Sequence, residues 1–132
     1  MPSARLASTT PALEYDDRHV FEAFGWSSIG EVGDLSPLTE LIESIASPGL
    51  VEISLQTDLN WAGPVLSIAV CKNHRFEPVI DLFRWLAINA PQAHGLLHVR
   101  DQESGDPNAY IAWVLREGEL TEHEDPFFPG LD

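Results

Sequence analysis

Apolar residues recur along this chain at two periods, and each period predicts a different element. Val51, Ile53 and Leu55 alternate with Glu52, Ser54 and Gln56, the pattern of a half-buried strand with a polar outer face. Leu66, Ile68 and Val70 repeat that alternation after the turn-rich stretch Asp58 to Pro64, so the two runs read as a hairpin. Leu35, Leu38, Leu41, Ile42 and Ile45 fall instead at helical spacing, with Glu40, Glu43 and Ser44 outward. Ser36 suits the N-cap, Pro37 the first helical position and Pro48-Gly49 the stop. A second helix is predicted from Phe76 to Asn89, with Val79, Leu82, Phe83 and Leu86 on one face and Pro91 ending it. Three more strands complete the reading. His19 to Ile29 carries Val20, Phe21, Phe24, Trp26 and Ile29, with Gly25 marking a bulge or a close approach. Leu96 to Val99 and Tyr110 to Leu115 flank the loop Asp101 to Asn108, whose Gly105, Asp106, Pro107 and Asn108 signal a turn.

The order β-α-β-β-α-β-β, with short connections, predicts an α+β fold. We expect an antiparallel or mixed sheet of about five strands with both helices packed on one face. At 132 residues the chain is one domain, placed over residues 19–132, behind a flexible leader over residues 1–18. The segment from Glu117 reads as an acidic tail. No secretory h-region opens the chain and no apolar run approaches the ~20 residues of a membrane span, so a cytoplasmic location is expected.

Charge narrows the partners. Twenty-one Asp and Glu stand against seven Lys and Arg, a formal net charge of −14. Phosphate backbones and anionic lipid surfaces are repelled by such a body, whereas a basic protein surface is attracted to it; an acidic surface that only confers solubility is the plainer alternative. Cys71 is the only cysteine, so no internal disulfide forms, and a small buried hydrophobe is its expected role. Trp26, Trp85 and Trp113 lie within predicted elements and are expected in the core. Trp61, in the Asn60-Trp61-Ala62-Gly63-Pro64 turn, is balanced between a binding anchor and a ring folded back over the sheet.

Catalytic signatures are missing from the sequence: it has no phosphate-cradling glycine loop, nucleophile elbow or paired metal-ligand motif. His19, His74, His94, His98 and His123 do not form a helical His-x-x-x-His pair, and Cys71 is too isolated to complete a zinc set. The sequence therefore implies no metal, no cofactor and no enzyme activity. The last third is richer. Between Asp101 and Asp132 there are nine acidic residues and one arginine, Arg116. Asp101, Glu103 and Asp106 share a loop, while Glu117, Glu119, Glu122, Glu124 and Asp125 follow the last predicted strand. A solvated face is one reading of these acids; a docking surface for Lys and Arg is the other.

The segments His94-Gly95-Leu96-Leu97-His98-Val99-Arg100-Asp101, Trp113-Val114-Leu115-Arg116-Glu117-Gly118 and Asp125-Pro126-Phe127 resemble the C-terminal half of the Imm7-type immunity proteins of bacterial polymorphic toxin systems. Asn73-His74 and Gly25-Trp26 resemble further family positions, so the likeness covers about residues 19–128. His98 stands where the family often has an aromatic residue, and the tail after Phe128 lacks the longer Ser-Pro ending of many members. The resemblance implies an α+β fold and tight inhibition of a cognate toxin, the C-terminal effector domain of a larger secreted protein. It also implies that Trp26, Asn73, His74, Gly95, Arg100, Trp113, Arg116, Gly118, Asp125 and Pro126 hold the fold, with Asp125 bridging to Arg100 or Arg116. Toxin contacts then fall to Trp61, Asp101, Glu103, Asp106, Glu117, Glu119, Glu122 and Glu124. A small acidic α+β secretion-effector chaperone is the competing reading. It predicts a dimer with an exposed apolar groove holding an extended client.

Overall fold

The strand β1, Phe21–Ser28, pairs on both sides and forms the interior of the sheet in a computed structural model that describes residues 20–57, 63–103 and 109–126. It is followed by α1 (Ser36–Ile45), β2 (Val51–Gln56), β3 (Val65–Lys72), α2 (Glu77–Asn89), β4 (His94–Asp101), β5 (Tyr110–Arg116) and β6 (Glu119–Glu124). The sheet runs β2-β3-β1-β4-β5-β6, and every neighbouring pair is antiparallel. The expected α+β class and the β2–β3 hairpin are both found. The sheet has a sixth strand, because Glu119–Glu124, read from sequence as tail, folds back on β5.

Both helices contribute to one core with a single face of the sheet. Leu38 and Ile42 of α1 and Val79, Ile80, Leu82, Phe83 and Leu86 of α2 join Phe21, Ala23, Val51, Leu66, Ile68, Val70, Leu97, Val99 and Leu115. Side chains alternate along a strand, so the residues between these positions stand on the opposite face. That parity corrects two expectations. Trp26, expected in the core, shares the outer parity with Glu22 and Phe24 and is 42% exposed. Cys71 pairs with Glu22 on the same outer face and is exposed, not buried. Trp85 and Trp113 do pack against the core, half-buried.

The ends of α1 depart slightly from expectation. Ser36 opens the helix instead of capping it, and the Asp34 carboxylate accepts the Ser36 backbone N–H at 3.0 Å. That hydrogen bond holds the Asp34 carboxyl below its usual range. The leader at residues 1–18, Trp61 in its turn, Gly105 to Asn108 including Asp106, and the tail from Phe127 lie outside the described residues.

Two glycines fix the geometry. A Cβ at Gly95 would lie 2.1 Å from the Trp26 carbonyl oxygen, so β4 and β1 approach too closely there for any side chain; Gly25, on the facing strand, meets Leu96 in the same way. At the β5–β6 turn Glu117 has φ 54° and Gly118 φ 76°. Two successive left-handed residues make a type I′ hairpin turn, which suits the twist of the flanking strands. Glu117 is the only described non-glycine residue with positive φ, an unfavourable conformation for a side chain with a Cβ.

Two outcomes follow for urea unfolding. Gly95→Ala loses about 3 kcal/mol, at the severe end for overpacking; a loss below about 1 kcal/mol would mean the strands can separate freely. Glu117→Gly gains about 1 kcal/mol by relieving the left-handed strain.

Candidate functional site

The β5–β6 hairpin gathers the acids of the last third. Glu117 sits in the turn, Glu119 opens β6 opposite Arg116, Glu122 lies opposite Trp113 and Glu124 opposite Ile111. All four are exposed. Arg116 reaches Glu117 at 3.6 Å, but those side chains are 70% and 81% exposed, so the pair is weak. Glu119, Glu122 and Glu124 have no cationic partner among the described residues.

The described cations are engaged elsewhere. Arg75 contacts Glu77 at 2.7 Å and Asp101 at 3.1 Å. Arg84 bridges Glu77 at 2.7 Å and Asp81 at 2.6 Å, with its guanidinium 5.7 Å from the Trp113 ring. Arg100 meets Glu22 at 3.1 Å, and the Lys72 ammonium lies 4.6 Å above the Phe76 ring. Hydrogen bonds from Arg84 and then Arg75 hold the Glu77 carboxyl below its usual range, against a smaller opposing effect of burial. Partial burial disfavours the charged Arg75 guanidinium, but its contacts to Glu77 and Asp101 leave its pKa raised. Glu40 and Glu43 on α1 are also exposed, so negative charge extends beyond the hairpin.

The face of the sheet opposite the helices adjoins the hairpin. It carries Phe24 at 39% and Trp26 at 42% exposure. At one end a cleft of about 510 Å³ is lined by Trp26, His94, Leu96, Val114, Arg116 and Glu117. Its walls are apolar side chains with the charged groups of the hairpin at the rim. The Trp26 and His94 rings meet edge-on at 5.8 Å. At the other end a hollow of about 410 Å³ takes in Phe24, Leu50, Glu52, Cys71 and Tyr110.

Between these hollows lies a buried polar pair. The Asp125 side chain has no exposed surface and accepts a hydrogen bond from His98 Nδ1 at 2.5 Å. His98 stacks on Phe24 with ring centroids 5.1 Å apart, and Phe24 meets Tyr110 edge-on at 5.9 Å. The Asp125 backbone N–H donates to the Tyr110 carbonyl at 3.1 Å, extending the β5–β6 ladder. Tyr110 also donates to Glu22 at 3.4 Å, and partial burial with the nearby Glu22 charge raises its phenol pKa. Asp125 thus pins the end of β6 to the sheet through His98, where a bridge to Arg100 or Arg116 was expected. Arg100 turns to Glu22 and Arg116 to Glu117.

The expected site residues therefore separate. Glu117, Glu119, Glu122 and Glu124 come together on one hairpin. Asp101 does not join them: it is 8% exposed at the far end of β4, paired with Arg75 and accepting the Glu103 backbone N–H at 3.0 Å. Glu103 pairs with His74 at 3.0 Å, which ties the 101–103 turn to the connector before α2. Asn73 and Pro126 are exposed, Trp113 supports α2, and Gly95 and Gly118 fulfil backbone requirements. Trp61 and Asp106 lie outside the described residues. The open-face residues Phe24, Leu96, His98 and Tyr110 were not singled out as a surface from sequence. The available signal was the presence of apolar residues at both parities of β1, which a strand covered on one side does not need. Among the described residues no three metal-ligating side chains converge, and no helix is long and apolar enough to cross a membrane.

A sequence model of one family, described as Immunity protein 7 (Imm7), matches residues 20–131. No curated protein and no solved structure matches the chain significantly.

Two measurements test the polar architecture. Asp125→Ala or His98→Ala strands its partner in a buried site and costs about 3 kcal/mol in chemical denaturation; a double-mutant cycle without coupling would dissolve the pair. Glu77, with its pKa lowered on folding, contributes stability that is full above its ordinary value of 4.5 and is lost as pH falls through the folded value. Because its side chain is 42% exposed, screening keeps the contribution below about 1 kcal/mol. The stability gap between the wild type and Glu77→Gln should narrow as pH falls below 4.5 in thermal melts.

Proposed function

The chain belongs to the Imm7 family, and from that membership we propose that it binds and neutralises a cognate polymorphic toxin domain through its acidic β5–β6 hairpin. The adjoining open face of the sheet, with the Trp26 cleft, completes the docking surface. The toxin domain is a basic C-terminal effector, met in the cytoplasm. The observation that carries this reading is that Glu119, Glu122 and Glu124 stand exposed without a described cation on the hairpin whose turn residue, Glu117, lines an apolar cleft that no described residue fills.

The two parts do different work. A negative field speeds encounter with a positive partner. Desolvated apolar contacts then slow dissociation, where most affinity differences lie. An inhibitor of this kind acts by occupancy and needs no catalytic residue of its own. Asp101, held in its ion pair with Arg75, supports the fold on this reading, while Trp61 and Asp106 remain candidate contacts.

The chaperone alternative draws on the same open face, because an exposed apolar groove is what an extended client would occupy. Oligomeric state separates the readings: a chaperone is a dimer around an unfolded segment, whereas an immunity protein binds its toxin folded.

The test is a charge reversal, Glu117→Lys with Glu119→Lys, measured by stopped-flow association with the toxin domain encoded beside this gene. The association rate should fall about tenfold or more at low salt, with dissociation and folding stability little changed. The difference should shrink as salt rises. Wild-type affinity in the double variant would move the contact site off the hairpin, and co-expression that fails to rescue cells from that toxin would remove the reading.

A further inference from the structure

The strand β6 closes one edge of the sheet, and half of its backbone groups have no partner among the described residues. The Asp125 N–H donates inward to Tyr110, and Arg116 and Glu119 flank the two-residue turn as a hydrogen-bonded pair. Inward and outward positions alternate along an antiparallel strand. Glu119, Thr121, His123 and Asp125 therefore turn their N–H and C=O groups toward β5. Leu120, Glu122 and Glu124 turn theirs away from the sheet, where no described residue meets them.

The opposite edge is different. The Leu50 carbonyl accepts from Cys71 on β3, which leaves Val51, Ile53 and Leu55 as the outward positions of β2. The first of these is already occupied: Val51 exchanges backbone hydrogen bonds with Ser47 at 2.7 Å and 2.9 Å. β6 has no such cover among the described residues, and it carries three glutamates in six residues.

Resting on the hairpin reading above, we infer that the toxin engages this chain by strand addition. An extended toxin segment with Lys or Arg at alternate positions pairs antiparallel or parallel with the free edge of β6. Its main chain takes the outward groups of Leu120, Glu122 and Glu124. Its cations on one face meet Glu122 and Glu124, and those on the other meet Glu119. Edge addition of this kind draws affinity from backbone hydrogen bonds and specificity from alternating side chains.

Charge selects the occupant. A second copy of this chain adding through β6 brings glutamates against glutamates, which is destabilising for directly opposed like charges, in a chain of net charge −14. The same acids that refuse a copy accept a basic strand. Charged edges commonly protect sheets from unwanted pairing; here the protection is selective in sign.

Amide hydrogen exchange on the wild-type protein, free and bound to the toxin domain encoded beside its gene, tests the inference. Leu120, Glu122 and Glu124 amides should exchange rapidly in the free protein and at least tenfold more slowly in the complex. Glu122→Pro supplies the second measurement, since it removes an outward N–H and no ladder bond to β5. It should weaken binding at least tenfold beyond Glu122→Gln, which removes the charge alone. If Glu122→Pro does not fold, the exchange data decide. A complex in which those three amides stay fast, or in which β2 is protected instead, overturns strand addition while leaving hairpin docking intact. Absence of any complex overturns both.

Discussion

The constraint that governs this molecule is one-sided cover. Two helices pack on one face of a six-stranded sheet, and alternation sends every second residue of each strand to the other face. Whatever occupies those positions is presented outward. In this chain they include Phe24, Trp26, Leu96 and Val114, a set of apolar groups that neither described helix reaches. A lone exposed apolar side chain is ordinary, but several on one uncovered face bordering a cleft are the usual mark of an interaction surface.

Acidic residues divide by the same geometry into two populations. Asp101 and Asp125 are buried and paired, with Arg75 and His98 respectively. Both lie at the end of the β4–β5–β6 region away from the Glu117-Gly118 turn, where they fasten β4 and the end of β6. The glutamates of the hairpin are exposed and leave the field uncompensated. The first population serves stability, because removing one member of a buried pair leaves a charge without solvent. The second contributes little to the fold, which frees it to be shaped by a partner. Family membership identifies the partner's kind as a toxin.

Much of the architecture was legible because periods of 2 and 3.6 are easily told apart. The β2–β3 hairpin and α2 appear in the sequence nearly as they stand in the structure. β6 was illegible because Glu119–Glu124 has one apolar residue, Leu120, and an edge strand can form with little apolar patterning when its neighbour supplies the ladder. Its turn, Glu117-Gly118, lacks the Asn or Asp that usually announces a type I′ hairpin. Trp26 and Cys71 were misplaced because periodicity finds two faces but does not say which one the helices cover. The His98–Asp125 pair was hidden for a related reason. Both residues were noticed, but only the register of β1, β4, β5 and β6 brings them into contact. The hairpin acids were legible as a group, although their alignment along a single edge was not.

The strand order has a consequence for timing. β1 is made first but pairs with β3 and β4, whose residues lie some forty to eighty positions later in the chain. The middle of the sheet stays open until β3 and then β4 have been made, and closure then waits on contacts between distant segments. Such topologies assemble more slowly than local ones. Through that interval β1 carries two unpaired edges, so the strand that ends at the centre of the sheet is the one longest exposed to mispairing as the chain emerges.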